Sequence, residues 1–313
     1  MHGFVQTKTA VEQSVRREGF YTSHKHFSRS SFFCSRAESA PAHTQVTPTI
    51  EPLFQNIALY IQRETHLKMK THDNVIFITG GSTGIGLSIA KTFLHSQNTV
   101  IVCGRDEKKL ARARQAHPDL HTLQCDVTDD GDNKRAFQKI TSEHKGLNIL
   151  INNAGIQYNY NLYDADVSPE KIQQEIDTNF SSLVKLTTMF LPTLMKQPEA
   201  AIVNVSSATG IVPKQNGAVY SATKAAVHSF SSVLRRQLAK SSVKVFELFP
   251  PVVDTEMTKG RGGDKVSPES VASQLIRSMK DDQYEIPVGR VRWLFLIHRI
   301  SPALAAKIIQ KQA

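Results

Sequence analysis

Short apolar runs recur along the middle of the chain, and most of them are rich in β-branched residues. They occupy residues 75–79, 99–103, 147–152, 201–206 and 243–249. Each run is continuous rather than alternating, which is typical of strands that are covered by helices on both faces.

Amphipathic segments of helical length separate these runs. Examples lie at residues 87–96, 134–144, 169–195 and 218–239. Strands that alternate with helices at this spacing predict an α/β fold, namely a single Rossmann-type doubly wound parallel sheet with helices on both faces. The pattern predicts a fold and does not identify a reaction.

The two ends of the chain differ from this pattern. Residues 1–70 are polar with scattered apolar positions, so we predict an extension that is disordered or not native. A genuine transit peptide in residues 1–40 would instead indicate an organelle, although acidic residues there argue against one. Residues 71–289 carry the alternating pattern, and residues 290–313 form a basic amphipathic tail.

Composition and charge exclude some classes of function. The chain has 313 residues, 40% of them hydrophobic, and a net charge of +10. The charge surplus is not accompanied by an arginine- and aromatic-rich stripe, so we predict no nucleic-acid partner. No apolar run approaches the ~20 residues that a membrane-spanning helix needs.

Cysteine and histidine spacing predicts no metal site. The chain has no CxxC pair, and its 12 histidines show no ligand spacing. Cys103 and Cys125 follow apolar runs, which predicts that they are core residues.

A glycine-rich turn follows the first predicted strand directly. Bare backbone N–H groups at a helix N-terminus bind phosphate, and glycine leaves no Cβ in the way. The residues of this predicted phosphate-binding turn are Thr79, Gly80, Ser82, Thr83, Gly84, Ile85 and Gly86.

A tyrosine and a lysine occur four positions apart in the segment YSATK. Tyr220 and Lys224 would lie on one helix face, one turn apart. A nearby ammonium group favours the phenolate, so we predict that the pKa of Tyr220 is drawn down from its usual value of about 10. The pair would then act in acid–base chemistry.

The GxxxGxG turn followed by YSATK resembles the short-chain dehydrogenase/reductase family over residues 74–290. The stretches FPPVVDTEM and MKQPEAAIV are similar to the DltE-type bacterial members. The resemblance implies that residues 71–289 form a dinucleotide-binding catalytic domain. It implies hydride transfer between nicotinamide and a carbonyl or alcohol substrate, in a cytoplasmic homodimer or homotetramer.

The resemblance also implies roles for individual residues. Asn179, Ser207, Tyr220 and Lys224 match the family's catalytic tetrad, and spacing favours Ser207 over Ser206. Further matches to cofactor-binding positions are Asp126, Val127, Asn153, Ala154, Gly155, Pro250, Val253 and Thr255, together with Tyr220 and Lys224 themselves. Pro251 stands where the family usually has glycine.

The end of the second predicted strand bears on the choice of dinucleotide. An acidic residue about 20 positions after the glycines would bind the ribose of NAD. Here Gly104 and Arg105 occupy that place, and arginine fits a 2′-phosphate. We therefore predict NADP(H) rather than NAD(H), with Asp106 as a nearby opposing charge.

Three segments are expected to surround the substrate: Ile156–Tyr160, Ala208–Pro213 and the glycine-containing Thr258–Lys265, which predicts a lid. Its cations either attract an anionic substrate or are simply solvated: Lys259, Arg261 and Lys265. The tail 290–313 is predicted to pack on its own domain or on a second subunit. The alternative is weak peripheral contact with an anionic membrane.

Two rival functions exist on such a fold. A dinucleotide-sensing regulator would bind cofactor without catalysis, although this chain keeps the tyrosine and the lysine. An epimerase or dehydratase of nucleotide sugars usually has a different glycine spacing and a longer C-terminal substrate domain.

Overall fold

The structure is a computed structural model of the chain, and it describes residues 68–165 and 167–310. The predictions for residues 1–70 therefore fall on residues outside the described part, apart from 68–70.

Seven parallel strands form one sheet in the order β3-β2-β1-β4-β5-β6-β7. The order reverses between β1 and β4, which creates the crevice where such sheets bind ligands. The strand bounds are β1 Val75–Thr79, β2 Thr99–Gly104, β3 His121–Gln124, β4 Leu147–Asn152, β5 Ala200–Val205, β6 Val243–Phe249 and β7 Glu285–Pro287. The predicted α/β fold with a doubly wound parallel sheet is confirmed.

Helices connect the strands and follow the last one. Their bounds are α1 Gly84–Leu94, α2 Glu107–Ala116, α3 Asp130–Glu143, α4 Pro169–Ile176, α5 Ser182–Leu194, α6 Ala218–Gln237, α7 Pro268–Lys280, α8 Val291–Ile300 and α9 Pro302–Gln310. Several begin at residues that suit a helix start: the Ser168 hydroxyl accepts a hydrogen bond from the Lys171 N–H, and Pro169 follows it.

The sheet is buried on both faces, which explains the continuous apolar runs. Successive residues of β1 point into opposite layers: Ile76 and Ile78 pack on one side with α1 and α7, and Phe77 packs on the other. The Phe77 and Phe190 rings lie 5.4 Å apart. The apolar layers on the two faces of the sheet therefore contain side chains from the same strands.

Two features differ from the sequence prediction. The single helix predicted over residues 169–195 is interrupted at Asp177–Ser181 by a turn of π-helix. Strand β7 has only three residues and was not predicted, because so short a run has no recognisable apolar pattern.

The C-terminal tail folds as two helices, α8 and α9, that pack on the same domain. Val291 and Leu294 of α8 and Ile309 of α9 are buried in a third apolar cluster with Val212 and Phe249. Pro302 is the first residue of α9, a position that suits proline because the first N–H groups of a helix have no partner within it. Packing on the chain's own domain is one of the two arrangements that the sequence left open.

Candidate active site

A cleft of about 1870 Å³ opens at the carboxyl ends of the strands and extends to the tail helices. Nearly all of the predicted site residues line it. The exceptions are Thr79 and Asn179, which lie behind its wall.

The glycine turn has the backbone geometry that the sequence predicted. Gly80 and Gly84 adopt φ values of +63° and +56°, which favour glycine. A Cβ on Gly80 would come within 2.9 Å of the Ala154 Cα, so the turn fits closely against the end of β4. Thr83 precedes α1 and its side chain accepts no capping hydrogen bond. The first N–H groups of α1 are therefore available to an anion.

Asn153 and Thr79 hold this turn from behind. The Asn153 Nδ2 donates to the carbonyl oxygens of Thr79 and Gly80 at 2.9 and 3.0 Å. The Thr79 Oγ1 accepts from the backbone N–H groups of Asn153 and Ala154, both at 3.0 Å. Thr79 thus positions the turn rather than lining the cleft.

Charged residues surround the far end of the cleft, past β2 and β3. Arg105 is half exposed and lies 3.8 Å from the Asp126 carboxylate. Asp106 is occupied as the cap of α2, because its carboxylate accepts from the Lys109 N–H at 3.1 Å. The Lys109 ammonium reaches across to Glu256 at 2.7 Å. Asp106 therefore does not oppose Arg105 as directly as the sequence suggested.

Tyr220 and Lys224 lie in the first two turns of α6. The Lys224 Nζ donates to the Val205 carbonyl oxygen at 2.8 Å, and it lies 5.7 Å from the centre of the Tyr220 ring. Lys224 is buried, whereas Tyr220 is partly exposed to the cleft. The pair is therefore on one helix face, as the i, i+4 spacing predicts.

The lowered pKa that we expect for Tyr220 beside Lys224 and a positively charged nicotinamide ring is not produced by the protein's own residues. Burial raises the pKa of Tyr220 to about 12, and the hydrogen bond with Ser207 and the charge of Arg261 oppose this only in part. Burial also lowers the pKa of Lys224 to about 8. The Lys224 Nζ donates to the Val205 carbonyl oxygen, and loss of solvent is the largest influence on the phenol.

Ser206 and Ser207 both line the cleft, but Ser206 is buried and Ser207 is partly exposed. The Ser206 hydroxyl is buried and donates to the Lys224 carbonyl oxygen at 3.2 Å. Ser207 precedes the short turn Ala208–Gly210, and its Oγ accepts from the Thr209 N–H at 3.2 Å. A Cβ on Gly210 would lie 2.8 Å from the carbonyl carbon and oxygen of Lys224. The serine turn therefore packs directly against the backbone of α6.

Asn179 lies in the π-turn and holds the loop after β4. Its Oδ1 accepts from the Ile156 N–H at 2.8 Å and its Nδ2 donates to the Ile156 carbonyl at 2.9 Å. The side chain also donates to the Thr223 hydroxyl at 3.2 Å. Turns of π-helix often occur at functional sites. Here the turn lets a buried amide position the loop beside Lys224.

Backbone hydrogen bonds to Val266 hold the segment that follows β6. The Asp254 N–H donates to the Val266 carbonyl at 2.9 Å, and the Val266 N–H donates to the Val252 carbonyl at 3.0 Å. Pro250, Pro251, Val253 and Thr255 line the cleft. Proline at 251 fits because the pairing uses N–H groups of other residues.

The distal part of the cleft contains residues that sequence reasoning missed. We define the distal pocket by Lys214, Arg261 and the tail residues Trp293, Leu294 and Ile297, all of which line the cleft. Lys214 follows Pro213 with no motif around it, so nothing in the sequence indicates its place. The sequence predicted that the tail packs on the protein or contacts a membrane. In the structure the tail helices also line the cleft. The expected cation Lys259 is exposed and does not line the cleft.

The described residues form neither a metal site nor a membrane span. Within residues 68–165 and 167–310, no group of three or more histidine, cysteine or acidic side chains is placed to hold a metal ion. Over the same part of the chain, no helix is long and apolar enough to cross a bilayer.

Known proteins resemble this chain in sequence. A short chain dehydrogenase family model matches residues 74–265. DltE, an uncharacterized oxidoreductase of Bacillus subtilis, is 42% identical over 233 residues, which are 72% of this chain and 92% of the relative. An uncharacterized oxidoreductase of Staphylococcus epidermidis is 32% identical over 192 residues, 61% of this chain and 83% of the relative.

Solved structures share the fold. A short chain dehydrogenase of Burkholderia cenocepacia in complex with NADP matches with a TM-score of 0.69 and 24% identity, covering 77% of this chain and 99% of that one. A short chain dehydrogenase/reductase of Burkholderia phymatum in complex with NAD matches at 0.66 and 19%, covering 74% and 96%. The family match spans more than half of the chain and agrees with the sheet order and the glycine turn, so this protein belongs to the short chain dehydrogenase family.

Proposed function

We propose that this protein is an oxidoreductase that transfers a hydride between a nicotinamide dinucleotide and a carbonyl or hydroxyl carbon. Tyr220 donates or accepts the proton, Ser207 hydrogen-bonds the reacting oxygen, and Lys224 supplies positive charge beneath them. The observation that supports this most is their convergence on one cleft that also contains the glycine turn. Positioning of this kind is a large part of catalysis.

The cleft suits a dinucleotide. The close approach of Gly80 to Ala154 and the uncapped N-terminus of α1 leave bare N–H groups, where a pyrophosphate would bind. Arg105 and Asp126 would hold the adenosine end, and Lys224 would hold the ribose next to the nicotinamide. When bound, the nicotinamide would supply or accept the hydride.

We propose a preference for NADP(H) over NAD(H). Arg105 is half exposed at the end of β2, and a guanidinium pairs well with a phosphate. The carboxylate of Asp106, which would repel that phosphate, is held at the start of α2. The Burkholderia cenocepacia protein of this fold is in complex with NADP and the Burkholderia phymatum protein with NAD, so the fold accepts both dinucleotides.

The proton step follows from the pKa of Tyr220. A phenol whose pKa burial raises to about 12 carries its proton at physiological pH, and the hydrogen bond with Ser207 and the charge of Arg261 favour the release of that proton to the substrate oxygen. In carbonyl reduction, the substrate oxygen would receive this proton as the carbon receives the hydride. The Ser207 hydroxyl would stabilise the negative charge that develops on the oxygen.

Tyr220→Phe tests the proton step. Loss of general acid catalysis is expected to lower kcat for carbonyl reduction by about 10²–10⁴-fold while cofactor still binds. Tyr163→Phe is the matched control, because Tyr163 is 83% exposed. Near-normal turnover by Tyr220→Phe would exclude the phenol as proton relay. If the wild type binds NADPH tightly but reduces no carbonyl compound, the alternative function, a dinucleotide-sensing regulator without catalysis, is favoured.

Arg105→Ala tests the dinucleotide preference by fluorescence titration with NADPH and NADH. The wild type is expected to bind NADPH more tightly, and the variant is expected to lose about 10–100-fold of that preference, the size of a charge-assisted contact. Arg236→Ala, remote at the end of α6, is the control. Equal binding of both cofactors by the wild type would refute the preference. Binding of neither would refute the proposed function.

A further inference from the structure

Two cations in the distal pocket are positioned by amide oxygens rather than by carboxylates. The Lys214 Nζ donates to the Asn159 Oδ1 at 2.5 Å, and the Arg261 Nη1 donates to the Gln157 Oε1 at 2.8 Å. Both amides belong to the loop after β4. Among the described residues, neither cation has a carboxylate within 4 Å. The amides therefore fix these cations in place without neutralising them.

Neighbouring cations in the same cleft are neutralised. Lys265 lies 3.5 Å from the Asp254 carboxylate, and Arg290 lies 3.3 Å from the Asp264 carboxylate. Lys214 also differs from a solvated surface charge, because it is only 7% exposed. A buried charge without an ion-pair partner is costly, which makes Lys214 a candidate for binding an anionic ligand.

One buried acid lies near these cations, and it is already engaged. The Glu175 carboxylate accepts from the Tyr158 N–H at 3.0 Å and from the Tyr160 hydroxyl at 3.3 Å. Burial and the repulsion from Arg261 lower the pKa of Lys214 to about 8. The charge of Glu175 acts in the opposite direction but does not offset them. Two cations and one acid leave an excess of one positive charge in this part of the cleft when all three are ionised.

The backbone around Lys214 keeps its side chain in position. A Cβ on Gly217 would lie 2.5 Å from the Lys214 Cε, so the absence of a side chain there leaves room for the lysine stem. The Gln310 Oε1 of α9 accepts from the Gln215 N–H at 2.8 Å and ties the tail to this segment. The tail also contacts the Arg261 loop through Arg290 and Asp264.

The part of the cleft wall that the two tail helices form is apolar. It is formed by helices α8 and α9 through Trp293, Leu294, Ile297, Ile308 and Ile309. Trp293 is 55% exposed, so part of its ring area is available for contact with a ligand. An apolar wall beside an unpaired positive charge suits an amphipathic molecule.

We propose, on the basis of the function proposed above, that the substrate is an amphipathic carbonyl or alcohol compound with one negatively charged group, a carboxylate, near the reacting carbon. Lys214 and Arg261 bind the carboxylate, and the apolar part of the substrate lies against α8 and α9. The Lys214 backbone N–H donates at 3.3 Å to the hydroxyl of Ser221, the residue that follows Tyr220, so this cation lies near the phenol. The anionic group is therefore bound on the side of the cleft where the reacting carbonyl has to lie.

Binding of decanoate and of methyl decanoate to the NADP⁺-loaded protein tests this proposal. Trp293 is the only tryptophan in the chain, so its fluorescence reports on the distal pocket. The wild type is expected to bind decanoate at least about tenfold more tightly than the ester, as for a charge-assisted hydrogen bond. Lys214→Met and Arg261→Met are each expected to lose most of that preference and to keep their affinity for the ester. Lys139→Met, exposed on α3, is the charge-matched control.

Equal affinity of the wild type for the two probes would overturn the proposal, as would a loss of affinity for both probes in both variants. If Lys214→Met does not fold, Arg261→Met still decides, because Arg261 lies in a loop outside the core. The readout does not depend on hydride transfer. A protein that prefers decanoate but reduces no carbonyl compound would therefore refute the proposed function and support the anion site.

Discussion

Replacing Gly210 by alanine should press a methyl group against the backbone of α6. The added Cβ would lie 2.8 Å from the Lys224 carbonyl carbon and oxygen and 3.1 Å from the Ala225 nitrogen. The shortest contact is about 0.6 Å below the 3.4 Å at which ordinary van der Waals contact begins. Both neighbours are backbone atoms of a helix, so the serine turn or the helix has to move.

The expected cost has two parts. Overpacking of this kind destabilises by about 1–3 kcal/mol, which lowers Tm by about 2–4 °C for each kcal/mol in a domain of this size. The same shift separates Ser207 from Tyr220, and misplacement approaching 1 Å costs up to about 10²-fold in rate. We therefore expect kcat to fall by about tenfold or more while cofactor affinity changes little.

Thermal unfolding and steady-state carbonyl reduction measure the two parts separately. Gly262→Ala is the control for stability, because a Cβ there meets nothing within 4 Å. If Gly210→Ala keeps both the wild-type Tm and the wild-type kcat, the close packing of the turn on α6 does not position Ser207. A lower Tm with unchanged kcat would show that the packing is structural only.

Three further predictions concern polar groups in or near the site. Asn153→Ala removes the hydrogen bonds to the Thr79 and Gly80 carbonyls, so cofactor Kd in a fluorescence titration should rise by about tenfold, the effect of about 1–3 kcal/mol. Lys224 loses its charge as pH rises through about 8, so kcat/KM for reduction should fall there, and Lys224→Arg should move the fall to higher pH. Hydrogen bonding to Glu247 raises the pKa of His228 in the folded protein above 6.5, so the protonated His228 stabilises the fold. This contribution is complete below pH 6.5 and is lost as the pH rises through the raised pKa. The Tm of the wild type should therefore exceed that of Glu247→Gln at low pH, and the difference should shrink as the pH rises.

Each of these predictions has a contrary outcome. An unchanged Kd for Asn153→Ala would show that the turn keeps its shape without the amide. The same fall in kcat/KM for the wild type and Lys224→Arg would assign the titration to another group. A Tm difference that is constant from about pH 6 to about pH 9 would show that the His228 charge does not stabilise the fold.

The sequence predicted the sheet well because its strands are buried on both faces. Runs such as Leu147–Asn152 are continuous in the sequence for the same reason that they are inaccessible in the structure. Strand β7 was missed because three residues carry no such signal. The π-turn at Asp177–Ser181 was also missed, because one extra residue in a helix barely changes the apolar spacing.

The site was predictable where backbone geometry dictates a residue type. Gly80 and Gly84 need positive φ angles, so the turn is visible in the sequence. The protonation behaviour of Tyr220 was not predictable, because it depends on burial by segments distant in the chain. Lys214 was missed for a similar reason: its role depends on Asn159 and on the space beside Gly217. Oligomeric state and compartment stay predictions.

The wall formed by α8 and α9 separates chemistry from selectivity along the chain. The family match ends at residue 265, while the apolar face of the distal pocket begins near residue 291. The proposed catalytic residues and the proposed apolar contacts to the substrate therefore occupy separate parts of the chain. Exchanging residues 290–310 with those of a relative is expected to change which compounds bind while Ser207, Tyr220 and Lys224 stay unchanged.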